Sequence, residues 1–357
     1  MVDLKSYGYT QSELIPAGLI PGRVTELRRD RFTVMTEYGE LKAVLKGSFY
    51  YSADKSDDFP CVGDFIFLHY NENGDSLIER VLQRHSKFSR ADYSGHGAGY
   101  TKTILEQVVA TNFDYVFILS SLNADFNVTR IMRYVTQVRQ SGAQPIIILT
   151  KADLAGDYKQ KLLEITAYIA DVPIHTISSY TGLGLSELNY YLIPCKTVVF
   201  MGMSGVGKSS LLNALMGQDV MKVQAIREDD SRGRHTTTHR QLFMLPSGAL
   251  VIDTPGMREL GLFKADEGIS ANFADVEELF LQCRFTNCRH DVEPGCAVLA
   301  ALAEGSLLHE RWEQYNNQLN ENRFVQDKTS YLIEKRAKSK NISMWSKQKR
   351  KNGGQNK

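Results

Sequence analysis

The sequence predicts a multidomain chain in three parts: a small N-terminal β-barrel, a central α/β domain on a parallel sheet, and a mostly α-helical C-terminal region. Three observations predict it. Five short strand-like runs, punctuated by turn residues, fill 19–81. From residue 115 short apolar runs alternate with amphipathic ones, the pattern of a sheet covered by helices on both sides. Three cysteines and a histidine then crowd into 283–296, ahead of a largely helical stretch. With 357 residues the chain is too long for one ordinary domain. The expected division is 1–84 barrel, 85–104 linker, 105–265 α/β domain, 266–334 helical metal-binding domain and 335–357 basic tail.

Composition narrows the class. Residues 1–15 contain no apolar core of the signal-peptide kind, and no apolar run approaches the ~20 residues that span a bilayer, so a cytoplasmic chain with no membrane partner is expected. Residues 335–357 hold nine Lys or Arg and no Asp or Glu; removing those nine from the formal net charge of +1 leaves −8 for the rest. Such a tail is either a solvated, disordered end or an arm for RNA phosphate, with Trp345 as a stacking face. Five cysteines in such a chain argue against a disulfide framework, and the isolated Cys61 and Cys195 read as packed thiols.

In order, the barrel strands are 19–25, 31–36, 40–46, 65–70 and 76–81, with Tyr38-Gly39 as a hairpin turn. An oligonucleotide-binding (OB) barrel leads among the closed arrangements, although barrels that bind nothing share the pattern. Residues 84–100, carrying Gly95, Gly97 and Gly99, read as linker. Strand 115–119 follows, then a helix over 127–140 with Ile131, Met132, Val135 and Val138 on one face, then strand 145–149. That strand runs into Thr150-Lys151-Ala152-Asp153. Helix 157–170 and strand 172–177 lead to a second loop beginning Ser178-Ser179, and helix 186–192 leads to strand 197–201. Parallel sheets present ligands at the carboxyl ends of their strands, so these loops share one rim.

The strand over 197–201 enters Gly202-Met203-Ser204-Gly205-Val206-Gly207-Lys208-Ser209-Ser210, which fits the phosphate-binding pattern G-x-x-x-x-G-K-[ST]. The glycines let successive N–H groups point inward at phosphate oxygens beside the positive end of the helix that follows. Lys208 adds a full charge for the outer phosphates, and the Ser209 hydroxyl suits Mg²⁺. Beyond the helix, 227–240 is polar and charged and matches no regular element. Strands 241–245 and 249–252 follow, the second ending at Asp253-Thr254-Pro255-Gly256.

Cys283-x4-Cys288-x-His290-x5-Cys296 supplies three thiolates and an imidazole, a set suited to a closed, structural, tetrahedral Zn²⁺ site. Pro294-Gly295 turns the chain back so that Cys296 completes it. Past it, Trp312, Tyr315 and Leu319 stand at helical spacing and read as core packing.

Asp253-Thr254-Pro255-Gly256 resembles the D-x-x-G element of GTPases, in which the carboxylate holds Mg²⁺ through water and the Gly256 amide senses the γ-phosphate. Thr150-Lys151-Ala152-Asp153 resembles their guanine-reading N-K-x-D element; a carboxylate at Asp153 accepts from both the N1–H and the exocyclic amine of guanine. The guanine-reading loop precedes the phosphate loop, which is the order of a circularly permuted GTPase. With a barrel before it and a Cys/His cluster after it, the chain resembles the RsgA family of small ribosomal subunit biogenesis GTPases over about 19–310.

The resemblance implies a cytoplasmic, monomeric factor that binds GTP and GDP with Mg²⁺ and one structural Zn²⁺, engages the 30S subunit and its 16S rRNA late in maturation, and is stimulated by it. It implies nucleotide contacts from Thr150, Lys151, Ala152, Asp153, Ser178, Ser179, residues 202–210, Asp253 and Gly256, with Ser209 and Asp253 at Mg²⁺ and Lys208 acting in catalysis. Two positions depart from ordinary GTPases. Thr150 replaces an Asn, and Met257 stands where a water-orienting Gln would be. His235 is the candidate for that role, with Arg232 and Arg234 as rivals for charge stabilisation, and Thr237, among Thr236 to Thr238, is the candidate to close on Mg²⁺. Two other readings compete: an RNA chaperone or binding module with a vestigial nucleotide site, and an ATPase, since a phosphate loop does not choose a base.

Overall fold

The computed structural model describes residues 1–10, 13–28, 31–49, 58–92, 105–123, 126–221, 240–253 and 264–327. The N-terminal strands are β1 (Ile20–Arg28), β2 (Arg31–Thr36), β3 (Gly39–Leu45), β4 (Phe65–His69) and β5 (Ser76–Val81). They pair in the order β1-β2-β3-β5-β4, and β4 returns to pair with β1, so the sheet closes. β3 and β5 run parallel and the other pairs antiparallel, an OB-like barrel. Val24, Phe32, Val34, Ala43, Ile66, Leu68 and Ile78 fill its interior. Gly22 sits where strands cross closely: a Cβ there would lie 2.5 Å from Val34 Cγ1.

An irregularity in β1 between Val24 and Glu26 lets the strand serve two sheets. Its first half closes the barrel against β4 at Ile20 to Arg23, while Glu26 and Leu27 pair with Gln241 and Arg240 of β12 (Arg240–Met244). Among the described residues the barrel and the α/β sheet therefore form one eleven-stranded sheet.

Residues 84–100, expected as linker, instead begin with a strand. β6 (Lys87–Asp92) pairs antiparallel with β7 (Leu105–Thr111) in a separate two-stranded sheet. The signal was weak because the apolar content of the ladder lies in β7, at Val108, Val109 and Ala110, while β6 contributes Phe88 among polar neighbours and the glycines beyond it dominate the local composition. Where this hairpin meets the barrel, Arg23 is almost fully buried and donates to the carbonyls of Tyr7, Gly63 and Asn112. Burial lowers its pKa to about 10. Beside it Arg84 grips Asp64 through two 2.7 Å hydrogen bonds.

The central sheet comprises β8 (Tyr115–Ser121), β9 (Gln144–Thr150), β10 (Ile174–Thr176), β11 (Thr197–Met201), β12 and β13 (Leu250–Asp253). Their order is β10-β9-β8-β11-β13-β12, parallel except for β12. Both faces are buried, which explains the continuous apolar runs. Ile118, Ile147, Val199 and Ile252 join α1 (Val128–Gln140) and α2 (Lys159–Tyr168) on one side. Phe117, Ile148, Phe200 and Val251 join α3 (Lys208–Met216) and a 3₁₀ turn, Leu185–Tyr190, on the other. That turn replaces the expected helix over 186–192. Started at β11 and read cyclically through β12, β13, β8, β9 and β10, the sheet order is 6-5-4-1-3-2, a doubly wound arrangement whose chain has been cut between strands 3 and 4.

The C-terminal helices are α4 (Asp266–Asn272), α5 (Ala274–Phe280), α6 (Ala297–Glu304) and α7 (His309–Gln326). Ile269, Phe273, Val276 and Tyr315 continue the core on the α1 side of the sheet. Buried Arg311 pins them by donating to Asp275, the Asn272 carbonyl and the Tyr168 carbonyl. Trp312, Tyr315 and Leu319 pack against this core, as their spacing suggested.

Candidate nucleotide site and metal centre

β11 is buried along its whole length and ends in a loop whose backbone only glycine accommodates at three points. Gly202, Gly205 and Gly207 have φ of 153°, 80° and 103°. A Cβ on Gly202 would lie 2.6 Å from the Leu119 carbonyl of β8. The loop leads into α3, whose first residue is Lys208 and whose N-cap Gly207 offers no side-chain cap, so the positive helix end adjoins the loop. Lys208 Nζ bends back and donates to the carbonyls of Gly202 (2.6 Å) and Met203 (2.7 Å).

Asp253 ends β13, in register with Phe200 of β11 beside the loop. It is 4% exposed, and its Oδ1 has no hydrogen-bond partner among the described residues. Burial raises its pKa, and the charge of Lys208 opposes that shift. A buried carboxylate oxygen left without a donor among the described residues, on the strand beside the phosphate loop whose following helix opens with Lys208 and Ser209, is of the oxygen chemistry a hard divalent cation takes. Ser209 and Asp253 thus fit Mg²⁺.

The loop after β9 meets the phosphate loop directly. Thr150, 2% exposed, donates from Oγ1 to the Val206 carbonyl at 2.6 Å. Lys151 adopts φ 61° and starts a short 3₁₀ turn, Ala152–Leu154, leaving Asp153 exposed. The loop after β10 docks alongside, where Ala152 N–H donates to the Ile177 carbonyl (3.1 Å). Ser178 is fully buried, and its Oγ accepts from the amides of Tyr180 (3.3 Å) and Thr181 (3.1 Å). Its hydroxyl shapes the loop. Thr150, Lys151, Ala152, Asp153, Ser178, Ser179 and 202–210 thus line one rim, with Asp253 below. His235, Thr237, Gly256 and their neighbours Arg232, Arg234, Thr236, Thr238 and Met257 lie outside the described residues, as do Trp345 and the basic tail.

Among the C-terminal helices, one ligand atom from each of Cys283, Cys288, His290 and Cys296 lies within 4.8 Å of the others. His290 adopts φ 59°, and its Nδ1 is 3.6 Å from Cys283 Sγ and 3.4 Å from Cys296 Sγ. Phe280 stacks on the imidazole at 4.2 Å, and Trp312 meets it edge-on at 5.9 Å. The chain reversal works as its sequence suggests: Gly295 has φ 76°, and its carbonyl accepts from Arg284 N–H at 3.0 Å. Three thiols this close compete for ionisation. Cys288 is pushed up to about 11 by desolvation and the sulfurs of Cys296 and Cys283. At Cys283 desolvation is outweighed by the amides of Ala297 and Val298, which hold its pKa below the ordinary thiol value. Three sulfurs and one nitrogen converging, with no further His, Cys or carboxylate ligand in the group among the described residues, fit Zn²⁺. The clamp by Phe280 was not legible in the ligand spacing; only its position on α5 creates it.

Comparisons with known proteins agree with this geometry. The RsgA GTPase family model matches residues 81–263. The chain is similar to small ribosomal subunit biogenesis GTPase RsgA 2 of Lactiplantibacillus plantarum, 44% identical over 318 residues that cover 88% of each chain. It is also 44% identical over 322 residues to RsgA 1 of Listeria innocua, covering 88% of this chain and 89% of that one. Among solved structures it is similar to YjeQ from Thermotoga maritima, with a TM-score of 0.59, 26% identity, and coverage of 84% of this chain and 96% of that one. YloQ, described as a circularly permuted GTPase, matches with a TM-score of 0.57 and 22% identity over 88% and 97% of the two chains, a likeness of fold.

Proposed function

Because the chain belongs to the RsgA GTPase family, we propose that its rim holds one guanine nucleotide and that hydrolysis there serves late maturation of the 30S ribosomal subunit. The observation that carries the reading is the 2.6 Å hydrogen bond from Thr150 to Val206, which fastens the base-reading loop to the phosphate loop. Thr150 and Val206 are 56 residues apart along the chain, yet their loops touch, at the switch point where doubly wound sheets take ligands.

In this reading residues 202–210 wrap the phosphates with backbone N–H groups, and Lys208 exchanges its two carbonyl partners for phosphate oxygens. Ser209 and, through water, Asp253 hold Mg²⁺, which when bound neutralises charge on the outer phosphates. Asp153 reads the guanine edge, supported by Thr150, Lys151, Ala152 and the backbone of Ser178 and Ser179. Gly256 senses the γ-phosphate, Thr237 closes on the cation side, and His235 orients the attacking water. Cys283, Cys288, His290 and Cys296 hold one structural Zn²⁺. The barrel, the metal centre and the tail at 335–357 supply surfaces for 16S rRNA, and the protein works as a cytoplasmic monomer. Among the described residues no helix is long and apolar enough to cross a membrane.

GTP turnover by the full chain, with and without 30S subunits, tests the reading. Stimulation by the subunit is expected, together with a loss of about 10²-fold or more in kcat/KM for Lys208→Ala. Turnover indifferent to the subunit removes the ribosomal role, turnover indifferent to Lys208 misplaces the site, and preference for ATP over GTP removes the guanine reading.

A further inference from the structure

After Met1, Tyr180 is the most exposed large hydrophobic side chain among the described residues, at 91%. The loop that carries it is tightly tied. Besides the two amides held by Ser178 Oγ, Ser178 N–H donates to the Leu183 carbonyl (3.0 Å) and Gly182 N–H to the Ser178 carbonyl (2.9 Å). Gly184, at φ 70°, packs so closely that a Cβ would lie 2.3 Å from the Thr176 carbonyl. A rigid knot of backbone therefore holds an aromatic ring in the open.

The ring's position gives it a purpose. Ile177, three residues earlier, donates to the Leu149 carbonyl and accepts from Ala152 N–H, so this loop is rooted against the turn that carries Asp153. Asp153 is itself exposed. Two hydroxyls of the loop serve its own backbone: Ser178 Oγ holds two amides, and Thr181 Oγ1 accepts from Leu183 N–H at 3.4 Å. Tyr180 thus puts an exposed, flat apolar face on a loop whose backbone is bonded to the turn that carries the Asp153 carboxylate. A purine base matches both at once, with hydrogen-bond donors on its edge and a π-surface on its face.

We propose that Tyr180 is the stacking platform for the base whose edge Asp153 reads, so that the ring supplies affinity and the carboxylate supplies choice. This rests on the guanine-nucleotide reading of the rim. Stacking is indifferent to the identity of the base, whereas the paired hydrogen bonds to a carboxylate are specific for guanine.

Calorimetric titration of the full chain with Mg²⁺ and either GDP or inorganic pyrophosphate tests it, because pyrophosphate fills the phosphate loop but carries no base. Tyr180→Ala should raise the GDP Kd about 10-fold and leave pyrophosphate binding unchanged, and Tyr180→Phe, which keeps the ring, should restore GDP binding. GDP affinity unchanged in Tyr180→Ala, equal weakening of both ligands, or a Tyr180→Phe that behaves like the alanine variant each overturns the platform. Asp153→Asn is run in parallel and should exchange preference for GDP for xanthosine diphosphate. If it does not, the guanine reading of the rim has failed, whatever Tyr180 does.

Discussion

The rim around β11 and the cluster around His290 both gather groups that would repel or starve for partners if left alone, yet they are built in opposite ways. At the rim, the polar atoms are held by backbone turns and remain open: Asp153 is exposed, Asp253 Oδ1 has no partner among the described residues, and Lys208 rests on carbonyls of its own loop. At the cluster, the imidazole is stacked on Phe280 and edged by Trp312, Cys296 is buried as the N-cap of α6, and Cys283 and Cys288 pack half-buried against the core. A ligand that must enter and leave needs the first arrangement. An occupant that replaces missing core needs the second.

The sharpest way to break this contrast is to remove the proposed zinc. Structural zinc sites contribute on the order of 10–16 kcal/mol, so Cys296→Ser should abolish the single equivalent of bound zinc and strip hydrogen-exchange protection from α5, α6 and the first turns of α7. GDP affinity should change by less than about threefold, since the rim shares no residue with the cluster. A large loss of GDP binding would show that the two regions are one cooperative unit.

Asp253→Asn should have a smaller and two-sided effect. Burial raises the Asp253 pKa, so the carboxyl is more protonated folded than unfolded. Its ionisation therefore opposes folding at neutral pH, and that penalty fades as pH falls through the raised value. The variant should unfold at a higher temperature than the wild type without nucleotide at pH 7, with the gap closing in acid, while Mg²⁺-dependent GTP hydrolysis is lost. A lower unfolding temperature at pH 7 would mean that the carboxylate is structurally satisfied and that the rim is less open than its geometry indicates.

Thr150→Val should do least. It removes one buried hydrogen bond and leaves the Val206 carbonyl without that donor, a cost of about 1–2 kcal/mol. GDP binding should weaken by about 5- to 30-fold at most if that free energy is drawn from the nucleotide-bound state. Equal GDP affinity in the two proteins would show that the junction between the loops is maintained by packing alone.

Much of this was legible in the residues because the physics is local. The glycines of 202–207 announce a backbone that only glycine adopts, and φ values of 80° to 153° bear this out. The unbroken apolar text of β8, β9 and β11 announces strands buried on both faces. Spacing alone nominated the four residues of the cluster. The strand over Lys87–Asp92 escaped because its own text, Lys-Phe-Ser-Arg-Ala-Asp, carries almost no apolar periodicity beside a run of glycines, and its partner strand supplies most of the buried side chains. The role of the Thr150 hydroxyl escaped for a different reason: its partner is a backbone carbonyl 56 residues away, to which no residue type corresponds.

Taken by itself, the order of residues nominated the loops proposed for phosphate, base and metal, because glycine, lysine, carboxylate and thiol are what such chemistry needs whatever the surrounding topology. Only the tertiary structure decided that β11 lies between β8 and β13, that β1 bends from the barrel to join β12, and that Phe280 covers His290. Those are outcomes of long-range pairing and packing, in which many apolar residues are interchangeable partners and the contacts become distinct only when the chain has closed.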